Sequence, residues 1–415
     1  MNIKWDVTIE IILASFITFE ILLFALIQKS RKVFPWIITT EDEKPKLNKE
    51  GLEKFFAFGY DPELGWVRKP NTSKEEYAEQ KEDGTYDNST FNINEHGARS
   101  NPHHESLPSL ISCYGDSFTF ARQVNDNQTW CWHLSEKTRS NVINFGVGNY
   151  GLDQSLLRLK REFPKNKTKI VIMGVVPSTI VRNLDCWKHY NEYGNTFGFK
   201  PHFILEKDQL KLLPNIINSK EKYQNYEQYL GEIQKQDYFY HKKFKKEMLK
   251  FPYTVSFIKN IKRNFLLFLL VPWHKWVKKE DSKKKPYPAA MKVIMKQNLK
   301  LRCYLYKKDF YAVKLLIELV KEFKKEVESQ GSIPILVFMP QKDDLLFIKK
   351  KKNHYYNPFI KEIKEIVKTI DCTSSLIEEI DLDSLYSDKN EYGGHYTAKG
   401  NQRIAKIIFD SLPQE

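Results

Sequence analysis

From Ser109 onward, short apolar runs alternate with segments whose apolar residues recur at helical spacing, and this alternation constrains the fold more than any other feature. The runs Leu110 to Cys113, Val142 to Phe145, Lys169 to Met173, Ile333 to Phe338 and Ile370 to Cys372 have the length and content of buried strands. Between them, Val313, Leu316, Ile317, Val320 and Val327 mark one helical face. Ile363, Ile366, Val367 and Ile370 mark a second, and Ile404, Ile407, Ile408 and Leu412 a third. Strands separated by helices pair in parallel, because each helical crossover returns the chain to the same end of the sheet. The expectation is an α/β fold, a three-layer sandwich with a central parallel sheet, that binds ligands beyond the carboxyl ends of its strands.

The segment from about Trp187 to Leu301 is too long for one crossover and reads as an insertion that forms a lid or substrate wall. Inside it, Phe265 to Trp273 is too short to span a bilayer. It reads as a buried helix. The alternative is an interfacial segment, flanked by Lys262, Arg263, Lys275, Lys278 and Lys279, with Trp273 and Trp276 suited to the head-group level.

At the N-terminus, Val7 to Ile27 would span roughly 30 Å as a helix, at about 1.5 Å per residue, which matches a bilayer core. Glu10 lies near its end, whereas Glu20, if central and unpaired, costs about 2.5–3.5 kcal/mol. Lys4 stands beside Asp6 and no small-x-small site follows Ile27, so an uncleaved anchor is expected rather than a signal peptide. Lys29, Arg31 and Lys32 after the helix favour a cytoplasmic body by the positive-inside rule. The expected division is therefore an anchor over 1–38, a polar linker and preamble over 39–108, and the α/β domain over 109–415. The linker runs from Thr39 to Glu50. The preamble, Tyr60 to Trp66 and Phe91 to Arg99, is rich in Pro, Gly and Asn and reads as turns and short extended pieces.

With 415 residues, 41% of them hydrophobic, the chain can bury one large core with an insertion. Its charge of +14, from 66 Lys and Arg against 52 Asp and Glu, includes runs such as Lys283 to Lys285 and Lys349 to Lys352. Such runs are ordinarily solvated faces; the functional reading is attraction to anionic lipid or acidic polysaccharide. No zinc-finger spacing, basic heptad helix or RNA-binding aromatic motif accompanies the charge, which argues against nucleic acid. Cys113, Cys131, Cys186, Cys303 and Cys372 are odd in number and contain no C-x-x-C pair, so neither a disulfide framework nor a zinc site is expected. No metal or cofactor is called for.

Gly115-Asp116-Ser117-Phe118 follows the first expected strand and sets a serine at its carboxyl end, where backbone N–H groups of the following turn can face a developing oxyanion. Alone, such a tripeptide is more often a loop or a cap. Gly393-Gly394-His395-Tyr396-Thr397 precedes the last amphipathic segment and makes His395 a candidate general base. Taken together and in this order, these blocks resemble the GDSL/SGNH hydrolases over Ser109 to Leu412. Asn144 to Gln154 is similar to that family's second block, and the preamble is similar to one found in bacterial members near cell-surface polysaccharide biosynthesis. The resemblance implies a flavodoxin-like sandwich and attack by Ser117 Oγ on an ester carbonyl, with His395 as base and an acyl-serine intermediate. Water releases the acid, and a sugar hydroxyl in its place makes the site a transferase, as in alginate O-acetylation proteins.

Three positions depart from the family pattern. The aspartate three residues before the histidine is Tyr392 here, which leaves the orienting role to Glu391 or Asp388, or to a backbone carbonyl in a Ser-His dyad. The oxyanion hole falls to Ser117, Gly148 and Asn149, and Asn tolerates the left-handed backbone. The third-block asparagine is missing: Val176 cannot donate, leaving Thr179, Arg182 or Asn183. The expected activity is a serine ester hydrolase or acyltransferase acting on O-acyl groups of a bacterial glycan or another cell-envelope substrate, in the company of envelope-biosynthesis proteins. The glycan-modifying relatives point to the outer side of the membrane. The competing functions are a non-catalytic glycan-binding or assembly protein and a lipid esterase with Phe265 to Trp273 as a membrane-dipping lid.

Overall fold

The five apolar runs become the five strands of one sheet in the computed structural model, which describes residues 3–80, 86–273, 277, 288–388 and 392–413. They are β1 (Ser109–Gly115), β2 (Asn141–Asn144), β3 (Ile170–Val175), β4 (Ile333–Phe338) and β5 (Lys368–Asp371). The spatial order is β5-β4-β3-β1-β2 and every pairing is parallel. In register, Cys113 and Ile335 lie opposite Ile172 on either side of β3.

Side chains alternate across the strands, so each face needs its own cover. On one face Ile111, Cys113, Ile172, Ile335 and Val337 pack with Trp130 and Leu134 of the helix Trp130–Thr138 and with Ile404 and Ile408 of the last helix, Ala398–Ser411. On the other, the helices Leu152–Glu162 and Phe310–Ser329 bury Leu156, Leu159, Leu316 and Phe323. Each fully buried aliphatic side chain contributes roughly 1.5–3 kcal/mol. This is the three-layer sandwich read from the alternation.

Two compact units divide the chain at bounds other than the expected ones. One comprises Glu50–Cys186, Phe199–Gln224 and Leu299–Glu415; the other comprises Met1–Lys49, Trp187–Gly198 and Asn225–Asn298. The segment Phe199–Gln224 belongs with the sheet because its ribbon, His202–Glu206 against Gln209–Leu213, packs on the helix Phe310–Ser329. Its first residues are tied in by charge: buried Lys200 pairs with Asp153 and lies 3.6 Å from Asp185.

In the second unit the N-terminal helix, Ile3–Arg31, contains a stretch, Val7–Arg31, long and apolar enough to cross a membrane. Glu20 is not unpaired within it. Its carboxylate accepts the N–H groups of Tyr253 at 2.5 Å and Thr254 at 2.9 Å, together with the Thr254 hydroxyl, and so caps the helix Tyr253–Lys259. Ile27, Val33, Phe34 and Ile37 bury against Leu249, Leu267, Phe268 and Val271. The expected polar linker is folded into the same unit: Asp42 accepts the Thr39 N–H at 2.7 Å and the Tyr193 hydroxyl at 2.6 Å. The helix Ile261–Pro272 buries one face through Leu267, Phe268 and Val271, while Phe265, Leu266 and Leu269 are exposed. Lys275, Trp276, Lys278, Lys279 and the run Lys283 to Lys285 lie outside the described residues.

Candidate active site

Gly115 ends β1, and a Cβ there would run into Thr119 Oγ1 and the Gly174 carbonyl, so only glycine lets the chain turn this closely over β3. Asp116 then builds the turn. One carboxylate oxygen accepts the Phe118 N–H at 2.8 Å and the other accepts Arg182 Nη1 at 2.5 Å. Ser117 follows, 4% exposed, at the carboxyl end of the strand.

His395 reaches Ser117 from the other end of the chain. Its loop turns through Gly393 and Gly394, both at positive φ (+73° and +62°), and is stapled by the Ser387 N–H donating to the His395 carbonyl at 2.8 Å. Phe118 packs against the imidazole with ring centroids 4.9 Å apart. His395 Nε2 lies 2.8 Å from Ser117 Oγ.

The atom that orients the ring was not legible in the sequence. His395 Nδ1 lies 2.6 Å from Gln123 Oε1, which also accepts the His395 backbone N–H at 3.1 Å and the Ser387 hydroxyl at 3.1 Å. The Gln123 amide nitrogen donates to the Ala78 carbonyl at 3.2 Å, which fixes which end of the amide faces the histidine. Since Oε1 only accepts, Nδ1 carries the proton, and the Nε2 lone pair is left to accept from Ser117. Among the described residues the oxygen on Nδ1 is thus an amide's, from the serine loop, where an acid of the histidine loop or a backbone carbonyl was expected. Asp388 is engaged through its backbone, its N–H donating to the Gly393 carbonyl at 2.9 Å and its carbonyl accepting Lys342 Nζ at 3.1 Å. Glu391 lies outside the described residues.

Gln123 holds its position at some conformational cost. It sits at φ +73°, and Ala121 at φ +57°, each costing roughly 1–2 kcal/mol for a side chain other than glycine. Arg99, from the preamble, clamps this loop: its guanidinium donates to the carbonyls of Phe120 (2.7 Å), Ala121 (2.6 Å) and Val124 (2.5 Å), and pairs with Asp126 at 2.9 Å. A second preamble residue braces the other loop. Trp66 Nε1 donates to the Gly148 carbonyl at 2.9 Å, and the Tyr150 hydroxyl donates back to the Trp66 carbonyl.

Asn149 occupies the left-handed region at φ +66°, and a Cβ on Gly148 would meet open space. Among the described residues, the backbone N–H groups of Ser117, Gly148 and Asn149 donate to no protein acceptor. Of the third-block candidates, Asn183 accepts the N–H of Leu152 at 2.8 Å and so caps a helix, and Thr179 opens the short helix Thr179–Arg182. Arg182 is tethered to Asp116, beside Ser117. Desolvation first, then the cations of Arg122 and Arg182, push the His395 imidazole down from its ordinary value to about 3. Among the described residues no group of His, Cys, Asp and Glu side chains is arranged to hold a metal ion. A polar cavity of about 220 Å³ lined by Asn94, His96, Arg99, Ser109 and Asn141 opens at the opposite, amino ends of β1 and β2, and neither Ser117 nor His395 lines it.

No protein-family model matches the chain, and no curated protein matches it. Among solved structures, the chain is similar to a putative lipolytic protein of the G-D-S-L family from Desulfitobacterium hafniense, at 12% identity and TM-score 0.32, over 73% of this chain and 99% of that one. It is similar to a carbohydrate acetylesterase from Sinorhizobium meliloti at 10% identity and TM-score 0.31, over 73% and 97%. It is also similar to the lipase/acylhydrolase from Enterococcus faecalis at 11% identity and TM-score 0.29, over 74% and 100%. At these identities and TM-scores the likenesses carry no argument about activity, which rests on the geometry of Ser117, His395 and Gln123.

Proposed function

We propose that this chain is a membrane-anchored serine ester hydrolase or acyltransferase, acting on O-acyl groups of a cell-envelope glycan. The observation that carries the reading is the relay Ser117 Oγ to His395 Nε2 at 2.8 Å, with Nδ1 held at 2.6 Å by an acceptor-only oxygen. Ser117 Oγ attacks the ester carbonyl carbon while its proton passes to Nε2. The tetrahedral oxyanion faces the N–H groups of Ser117, Gly148 and Asn149, and Arg182 supplies positive charge where the family's asparagine is missing. Collapse breaks the bond to the alcohol, which leaves with the proton from Nε2 and leaves the acyl group on Ser117. Water, or a sugar hydroxyl, attacks in turn and gives its proton to Nε2; the bond to Ser117 Oγ then breaks, Oγ takes that proton back, and the acyl group leaves as acid or new ester.

Support for an uncleaved anchor comes from the N-terminal helix itself. Ile27 is buried in a cluster of its own unit, and Glu20 caps a helix more than 230 positions away, so cleavage after Ile27 would strip a core residue and a cap from folded structure. The competing reading, a binding protein that has kept the fold, draws on the strongly depressed basicity of His395 and on the amide oxygen that, among the described residues, meets Nδ1.

The deciding experiment treats the full chain in detergent with a fluorophosphonate serine probe and locates the adduct by mass spectrometry, with Ser117→Ala and His395→Ala beside it. Labelling confined to Ser117 and dependent on His395 is the expected result. A folded protein that takes no label refutes the enzymatic reading in favour of the binding one.

A further inference from the structure

The side of the active site formed by the hairpin Thr72–Gln80 and Tyr86–Ile93 carries more positive charge than the catalytic reading uses. Arg122 is the residue before Gln123, and its Nε lies 2.8 Å from Glu76 Oε2 on the hairpin. Glu76 is also within 3.4 Å of the Gln123 N–H, so hairpin, Arg122 and the residue that orients His395 form one connected group. Two further cations interact with this group. Arg68 Cζ lies 4.9 Å from the centroid of Phe91 and 5.9 Å from that of Phe120, its charge felt by Arg122, Arg99 and Glu76. Lys74, on the hairpin, senses Arg68, Arg122 and Glu76.

Arg99, beside Arg68 over the same two rings, is held by Asp126 and three carbonyls. Arg68 is not: among the described residues neither it nor Lys74 has an ion pair or hydrogen-bond partner. Among the described residues, Glu76 is thus the carboxylate whose charge acts on all three cations, and Asp388 acts on Tyr77 of the same hairpin. A partly buried guanidinium without a counter-ion is unfavourable: burial and its cationic neighbours push Arg68 down from its ordinary value despite Glu76. Aromatic faces compensate for part of this, and an anionic ligand would compensate for the rest.

We propose that Arg68, Lys74 and Arg122 form an anion subsite beside Ser117 and His395, and that it takes a carboxylate carried by the substrate, as on an O-acylated uronic-acid glycan. The inference rests on the proposed acyl-ester function for the identity of the ligand as substrate, and on the cation geometry alone for its charge. Arg122 adjoins the residue that holds the histidine, so the anion lies next to the reacting ester rather than at a remote docking patch. The carboxylate adds charge-assisted hydrogen bonds to guanidinium groups that have donors to spare.

The test uses the full chain in detergent, as Ser117→Ala so that binding is read without turnover. Affinity is measured for an oligo-glucuronate and for the neutral oligosaccharide made by reducing its carboxyls. The expected result is tighter binding of the acid by about tenfold or more, a preference that shrinks as salt is raised. Arg68→Gln and Lys74→Gln each reduce the preference, and Arg68→Lys retains part of it. Lys74 is exposed, so its variant carries the test if Arg68→Gln fails to fold. Equal affinity for acid and neutral sugar, or a preference unaltered in Lys74→Gln and Arg68→Lys, overturns the subsite. Inorganic phosphate competing as well as free glucuronate would replace the carboxylate by a phosphate-bearing substrate and so overturn the uronate assignment. Failure of the catalytic reading shows separately, as absence of fluorophosphonate labelling at Ser117 in the unsubstituted chain.

Discussion

His395 Nδ1 and Gln123 Oε1 lie 2.6 Å apart although 272 positions separate them in the chain, and the imidazole is thereby oriented by a neutral amide. A neutral partner fixes the tautomer as a carboxylate would, but gives no charge to stabilise an imidazolium.

Replacing Gln123 therefore separates orientation from electrostatics. Gln123→Ala is expected to slow fluorophosphonate labelling of Ser117 by about 10²–10⁴, because Nδ1 loses its acceptor and the ring its tautomer. Gln123→Glu restores an acceptor and adds a negative charge, which raises the imidazole pKa and moves the acid limb of the labelling profile to higher pH. A profile unchanged in Gln123→Glu would refute the assignment of Gln123 as the positioning residue.

The basicity of His395 sets a second expectation. Pushed down to about 3, the ring is already neutral at mild acidity, so labelling should be flat from about pH 5 to 8 and fall only toward pH 3. The stability consequence has a definite sign. Between the folded value and the ordinary value near 6.5, the unfolded chain binds a proton that the folded chain refuses. The contribution of His395 is complete above about pH 6.5 and is lost as pH falls toward 3. Thermal melts from pH 7 down to pH 4 should accordingly drop more for the unsubstituted chain than for His395→Gln.

Arg99 is expected to be the most damaging single truncation in the preamble. Arg99→Ala leaves Asp126 buried without its partner and three carbonyls of the Gln123 loop without a donor, at a cost of about 3–5 kcal/mol. Denaturant unfolding reads the stability loss. Surviving folded protein should also label slowly at Ser117, because the left-handed residues Ala121 and Gln123 are no longer clamped.

Glu20→Ala removes the cap on the helix Tyr253–Lys259 and is expected to cost about 0.5–2 kcal/mol. Proteolysis near Tyr253 in detergent measures it, and Glu20→Gln, which keeps one acceptor oxygen, should fall between the two. Carbonate extraction of membranes should leave the full-length chain in the pellet in every case.

The sheet was legible because its strands are buried on both faces and so are written as continuous apolar runs, which β3, Ile170–Val175, shows most plainly. Ser117 and His395 were legible because each stands in a glycine-containing block at a fixed place relative to a strand or helix. Gln123 carried no such mark: a glutamine six residues past the serine is indistinguishable in sequence from a surface residue. The third-block residues are also told apart only by contacts, since Arg182 and Asn183 are neighbours in sequence yet one grips Asp116 and the other caps the helix at Leu152.

The expected domain bounds shifted for a related reason. Length alone marked Trp187 to Leu301 as an insertion, but the buried charges of Lys200, Asp153 and Asp185 draw Phe199–Gln224 to the sheet. What the sequence determined by itself was whatever local pattern encodes: five strands, the helices between them, an apolar N-terminal helix, and the two residues in motif positions. What tertiary structure alone decided was which polar atoms meet, the amide on Nδ1, the arginine clamping its loop, the carboxylate capping a distant helix. Those pairings depend on buried donors finding acceptors across hundreds of positions, and no local periodicity records them.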